Sequence, residues 1–488
     1  MTENDSGSPR QNPAEDDCYL DRVRPPGWKN PQPKQTYDLV VIGGGPAGFA
    51  AAEVARRLGF SVALIEQHRL GGNSLNAGTI PSKALVASAR AFGRHRHEEL
   101  GAPAHQPCID FPKVMKRMRA VRARIAAYFA ADCLTGSGCD LFFGAARFFG
   151  PREVRVGAAS LVFRKAIVAT GAKPRSSDIP GLDSVGYRTS SSIFQIEDIP
   201  RRLAIIGAGP LGCELAQALC RLGSHVTLIQ QDPRLLPREE RDAVEILSRA
   251  LARDGVEIRL NTRVVGARSD GATKILQTVA NEKKTDVCAD EVLLSIGRAP
   301  NVDGLDLECA GIEFDATRGI ATDACLRTSN NDVYAAGDVC LDAKFTHAAQ
   351  ASARIAARNA MLEENRSFSE RIIPRCTFCD PEIAHIGLSV AEARKLGVAV
   401  KSYTVMMQDI ARAITDAEDH GFVKVHVELG TDRILGATIM GARSSELINE
   451  VAVIMNAGIG LSRVAEMIHT YPAESEGIML AAQHARET

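Results

Sequence analysis

Two stretches of this chain follow one plan, and that repetition restricts the fold more than any other feature. Residues 38–66, DLVVIGGGPAGFAAAEVARRLGFSVALIE, run as an apolar, β-branched strand into Gly43, Gly45 and Gly48. An alanine-rich helix follows, then a second apolar strand ending at Glu66. Residues 203–230, LAIIGAGPLGCELAQALCRLGSHVTLIQ, repeat the plan with Gly207, Gly209 and Gly212 and end at Gln230. From the first glycine to the end of the second strand is 23 positions in both copies. Strand, glycine turn, helix and strand in this register form a βαβ unit of a parallel sheet. The glycines permit a tight turn and let the backbone approach a pyrophosphate, which rests at the positive helix N-terminus. A carboxylate at the end of the second strand is placed for ribose hydroxyls. Two copies imply two dinucleotide sites in one α/β protein. The simplest pair is FAD, bound, and NAD(P), exchanging, with hydride passing between them.

The second copy differs where it selects its ligand. Gln230 replaces the acid, so the usual penalty against a 2′-phosphate is missing, and Arg234 and Arg238 in QQDPRLLPREE are close enough in sequence to help bind one. Both NAD and NADP stay open on this reading. Three shorter segments support the arrangement. IVATGAKP (Ile167 to Pro174, with Thr170 and Gly171) and LLSIGRAPN (Leu293 to Asn301, with Gly297) are strand-to-turn segments flanking the second copy. VYAAGDV (Val333 to Val339) places Asp338 at a strand's C-terminal edge, where open α/β sheets bind ligands and a carboxylate can reach a ribityl or pyrophosphate group.

The remaining chain sets limits. At 488 residues there is room for about three domains. With 58 Lys+Arg against 59 Asp+Glu, no electrostatic footprint for nucleic acid or an anionic membrane is expected. Apolar runs are strand-length, short of the roughly 20 residues of a membrane span. The N-terminal MTENDSGSPRQNPAEDD has no apolar h-region and does not read as a secretory signal; with RPPGWKNPQPKQ it reads as a poorly ordered tail over residues 1–36. Trp28 either pins that tail to the body or is exposed. Twelve cysteines without framework spacing fit reduced thiols in a cytoplasm. Cys376 and Cys379 have CxxC spacing but no companion pair, so no metal site is expected; a redox role and core packing both stand.

In order, GGGPAG, GGNSLNAGTIPSKAL (Gly71 to Leu85), ATGAKP, GAGPLGCE, SIGRAPN, AAGDV, DPEIAHIGLS and HTYPAESEG resemble the motifs of the pyridine nucleotide–disulfide oxidoreductase family, over about residues 37–488. Within it the chain is similar to mercuric-reductase-like and soluble pyridine nucleotide transhydrogenase-like members. The resemblance implies an FAD domain in two parts (37–185 and 301–371), an inserted NAD(P) domain (186–300) and a C-terminal α+β domain (372–488) that makes a homodimer. Gly72 would then lie on the flavin side. Lys83 would pair with Glu214, a cation that stabilises reduced flavin and a carboxylate that keeps it charged and placed.

The chain departs from the family at its redox centre. Ser74 and Thr79 stand where disulfide-reducing members carry cysteines. A hydroxyl forms neither a thiolate nor a disulfide, so dithiol chemistry there is excluded. The family's acid/base histidine, five positions before a glutamate, is matched by Tyr471 with Glu476 when Pro472 sets the register. A second register, His469 with Glu474, keeps the spacing and loses the proline. Beyond Cys379 there is no cysteine, which leaves mercury without its thiolate ligands. Three functions remain: a dithiol-free FAD-dependent NAD(P)H oxidoreductase passing electrons to a small-molecule acceptor, transhydrogenase-like in its finer form; a disulfide or metal reductase using other cysteines such as Cys213, Cys376 or Cys379; and a non-catalytic flavoprotein.

Overall fold

In the computed structural model, residues 13–93, 100–101, 109–368 and 372–487 are described. They form two compact units. One takes in the described parts of 1–84, 112–175 and 298–371, the other those of 85–111, 176–297 and 372–488.

In the first unit, the strands Asp140–Phe143, Val62–Glu66, Tyr37–Ile42, Ala159–Val168 and Val333–Ala335 pair in that order, all parallel. Glu153–Val156 and Ala146–Gly150 extend the sheet antiparallel from Ala159–Val168. Strand Tyr37–Ile42 is buried on both faces except at Asp38, as its near-continuous apolar run requires of a central parallel strand. Tyr37, Phe142, Phe148 and Phe163 join Val40, Ile65 and Val333 in one core. Each such side chain contributes about 1.5–3 kcal/mol on burial.

The expected tail over 1–36 is not what residues 13–36 form; 1–12 lie outside the described residues. Pro13–Val23 is a helix, with Tyr19 and Val23 buried. Arg24 donates to the carbonyls of Gln67 and His68 and stands 4.4 Å over the Phe143 ring. Trp28 meets Phe143 edge-on at 5.5 Å, and Asn30 exchanges two hydrogen bonds with the Phe143 backbone. A proline-rich composition suggested disorder; a few apolar and aromatic anchors outweigh it, because each buries area on an existing surface.

The second unit holds a parallel sheet, Glu257–Arg259, His225–Ile229, Arg202–Ile206 and Glu291–Leu294, and a three-stranded antiparallel sheet, Thr262–Asp270, Thr273–Ala280 and Lys283–Ala289. Its C-terminal part is a five-stranded antiparallel sheet in the order Arg375–Thr377, Glu382–Gly387, Ile434–Gly441, Phe422–Glu428 and Val400–Met406. Helices Ser444–Asn456 and Glu476–Glu487 share its core through Ile448, Val451, Ile478 and Ala481. Gly458, at φ +66°, makes the turn between helices Ser444–Asn456 and Leu461–Val464. No helix among the described residues is long and apolar enough to cross a membrane.

Candidate functional site

The first glycine loop is built by contact. Gly43 has φ +112°, and a Cβ there would lie 2.3 Å from the Ala169 carbonyl oxygen. A Cβ on Gly48 would lie 1.8 Å from the carbonyl oxygen of Gly43. Strand, turn and helix therefore close only on glycine. Gly45 is the N-cap of helix Pro46–Arg57; no side chain caps it, and Pro46 occupies the first turn. Its Cα approaches Gly72, where an added Cβ would be 2.8 Å away. The Glu66 carboxylate accepts the N–H of Gly44 and of His68, both at 2.7 Å. Burial raises its pKa against the lowering effect of those two amides.

Thr170 and Gly171 hold the neighbouring turn. Thr170 Oγ1 donates to the Asn301 carbonyl at 2.7 Å, Asn301 Nδ2 returns a bond to the Thr170 carbonyl, and Gly171 has φ +71°. Asp338 follows strand Val333–Ala335, with its carboxylate 3.4 Å from Arg298. The redox segment brings three hydroxyls together. Ser74 Oγ lies 2.5 Å from Thr346 Oγ1, and Thr79 Oγ1 lies 3.5 Å from the same atom. Thr346 stands in none of the sequence motifs; its one local signal is a hydroxyl at the start of helix Thr346–Leu362. Beside it Phe345 and His347 stack at 5.5 Å and 6°. Lys83 is half-buried in helix Thr79–Arg90.

The second loop repeats the contacts. Gly207, at φ +102°, would place a Cβ 2.4 Å from the Ser295 carbonyl oxygen, and Gly212 one 2.1 Å from that of Gly207. Gly209 caps helix Pro210–Arg221 without a side-chain bond, and Gly297 has φ +103°. Glu214 is 2% exposed and accepts the Phe378 N–H at 2.9 Å. Lys83 belongs to the first unit and Glu214 to the second. Gln230 is buried; its Oε1 accepts the Ala208 N–H at 3.1 Å and its Nε2 donates to Asp232 Oδ2 at 2.6 Å. Of the two arginines near it in sequence, Arg234 donates to the carbonyls of Pro237 and Glu239 and Arg238 is exposed.

Of the three cysteines weighed for a redox role, Cys213 and Cys379 are buried. Cys213 is fully buried, and burial, with the Glu214 charge beside it, pushes its thiol pKa far up. Cys379 is 1% exposed, and Cys376 packs against the C-terminal core. At the C-terminus, His469 Nε2 lies 2.8 Å from Glu450 and Glu474 lies 3.3 Å from Arg443. His469 and Glu474 thus have separate partners, from helix Ser444–Asn456 and from the residue before it. Tyr471 is 72% exposed, and Glu476 opens helix Glu476–Glu487.

Both loops fit a dinucleotide. An added Cβ on Gly45 would meet only Gly72, at 3.7 Å, and one on Gly209 nothing within 4 Å, so the space at each helix N-terminus is open. Uncapped backbone N–H groups and the helix dipole suit a pyrophosphate there.

Residues 37–353 match the family model for pyridine nucleotide-disulphide oxidoreductases, and residues 373–482 match that of their dimerisation domain. The chain is 34% identical over 452 residues to the dihydrolipoyl dehydrogenase of Thermus scotoductus, covering 92% of this chain and 97% of that one. It is 32% identical to the mercuric reductase of Streptomyces lividans, covering 92% and 96%. Among solved structures it resembles LpdA from Mycobacterium tuberculosis, with a TM-score of 0.84, 27% identity and coverage of 92% and 99%. It also resembles the HOCl-induced flavoprotein disulfide reductase RclA from Escherichia coli, with a TM-score of 0.82, 28% identity and coverage of 92% and 99%.

Proposed function

The chain belongs to the pyridine nucleotide-disulphide oxidoreductase family, whose members use FAD and NAD(P)H, and from that premise we propose an oxidoreductase that works without a redox disulfide. Electrons from NAD(P)H go through FAD directly to a small acceptor. In the finer, transhydrogenase-like form of this reading the acceptor is a second nicotinamide nucleotide. The observation that carries it is the hydroxyl cluster of Ser74, Thr79 and Thr346 in place of a dithiol, beside two intact glycine loops.

FAD supplies two-electron chemistry and the nicotinamide supplies hydride. The residues of this chain bind and orient them. Gly43, Gly45 and Gly48, with Glu66 and Asp338, would hold FAD; the Gly207–Gly212 loop would hold NAD(P). Lys83 and Glu214 are assigned by family resemblance to the charge that favours reduced flavin. The Phe378 N–H that Glu214 accepts restrains its carboxylate. Tyr471 and Glu476, from the partner of a homodimer, are assigned the acid/base position. Ser74 and Thr79 bond Thr346 and preserve the segment's shape.

Anaerobic stopped-flow tests this. The flavin absorbance is expected to bleach with a reduced nicotinamide nucleotide and to return with an oxidised nicotinamide analogue, but not with a lipoamide disulfide or Hg(II). Titration of the reduced enzyme is expected to find no new thiols. Two new thiols per flavin would return the chain to disulfide chemistry, and a flavin that no nicotinamide nucleotide bleaches would leave a binding protein.

A further inference from the structure

We propose that Asp232, held by Gln230, is the carboxylate that selects NAD(H) over NADP(H). The assignment deepens the function above and rests on it for the presence of a nicotinamide nucleotide.

The internal repeat supplies the comparison. Ala208 stands where Gly44 does in the first copy, Gln230 where Glu66 does, and Asp232 where His68 does. In the first copy the Glu66 carboxylate takes the loop N–H of Gly44 at 2.7 Å and carries the charge itself. In the second, the Gln230 carbonyl oxygen takes the loop N–H of Ala208 at 3.1 Å. Its amide then donates to the carboxylate of Asp232 at 2.6 Å. One structural duty, receiving the loop N–H, stays at position 230. The negative charge has moved two residues on rather than vanished. Gln230 is buried and Asp232 only half-buried, so the charge is more accessible than the amide that holds it.

Two nearby guanidinium groups are taken by other partners, while Arg238 lies exposed. Arg234 is bound to the carbonyls of Pro237 and Glu239, and Arg259 to the carboxylate of Glu257. A 2′-phosphate, with nearly two negative charges, calls for a guanidinium that can present two donors to it. A ribose 2′-hydroxyl calls for an acceptor at the end of the second strand, which a carboxylate provides. Asp232 is thus the specificity residue and Gln230 its positioning residue.

Calorimetric titration of the oxidised, flavin-loaded protein with NAD+ and with NADP+ reads binding without turnover. The wild type is expected to bind NAD+ at least about tenfold more tightly, a difference of about 1.4 kcal/mol. Asp232→Asn is expected to bring the two affinities within about threefold, chiefly by strengthening NADP+, with melting temperature unchanged. The double variant Gln230→Glu/Asp232→Asn returns the charge to the strand's end and is expected to recover the preference for NAD+. Equal affinities in the wild type, an unchanged ratio in Asp232→Asn, or no recovery in the double variant would each overturn the assignment while leaving the oxidoreductase reading in place. Failure of the wild type to bind either nucleotide would instead remove the proposed function itself.

Discussion

Glu66 and Gln230 occupy the same place in two copies of one design and differ by a single group of atoms, an oxygen against an NH2. Both receive a loop N–H, which explains why a polar side chain is kept at each position. They differ in what the second arm of the side chain does: Glu66 accepts the His68 N–H, whereas Gln230 donates to Asp232. At this scale the loop glycines are equally exacting. In Gly48→Ala the new Cβ would sit 1.8 Å from the carbonyl oxygen of Gly43, a contact that only backbone movement relieves. The expected cost is about 1–3 kcal/mol, with a protein that purifies depleted in flavin. Differential scanning calorimetry and the flavin-to-protein absorbance ratio check it; unchanged melting with full flavin would show that the loop is looser than its contacts imply.

Among the elements, strand Glu382–Gly387 of the C-terminal sheet carries a buried titrating group. His385 opposes Thr438 across the ladder. Its Nε2–H donates to the Gly387 carbonyl at 3.0 Å, and its Nδ1 lies 2.8 Å from the Thr438 hydroxyl, so the neutral ring is fully bonded. Burial, with Arg375 and His426 adding to it against Glu392 and the Gly387 bond, lowers its pKa to about 4. The unfolded chain titrates near 6.5 and therefore binds more protons than the folded chain between those values. The stability this ring contributes is complete above about pH 6.5 and is lost as the pH falls toward 4. Urea midpoints are expected to fall between pH 7 and pH 5, and His385→Gln to flatten that slope; an equal slope in both proteins would assign the acid sensitivity elsewhere. The N-terminal helix Pro13–Val23 belongs to this scale too. Its sequence, polar and followed by prolines, carries little periodic signal, and its order comes from docking Tyr19 and Val23.

For the whole molecule, the dimerisation-domain match over residues 373–482 and three exposed apolar side chains bear on assembly. Val453 is 68% exposed, Ile468 101% and Tyr471 72%. All three fall inside the matched dimerisation region, the part of the chain expected to meet a second copy. Light scattering is expected to give about twice the chain mass of 52.3 kDa. Ile468→Asp is expected to shift the protein toward monomer and to lower turnover, since Tyr471 is assigned to the partner's site. A wild-type monomer with full activity would overturn both expectations.

Much of the fold was legible because it is written locally. The two glycine loops, the strand that leads into each and the glycine turn at 458 depend on residues adjacent in the chain. The absence of cysteine at 74 and 79 excludes a disulfide there by chemistry alone, whatever the fold. What only the tertiary structure decided are contacts between distant residues and the direction of long side chains. Thr346 meets Ser74 from far along the chain, His469 takes Glu450 rather than Glu474, Arg234 turns to its own loop, and Gln230 gives its amide to Asp232. Spacing sets which residues can share a turn or a face. Which partner a flexible polar side chain takes depends on the donors and acceptors that folding brings within about 3 Å of it.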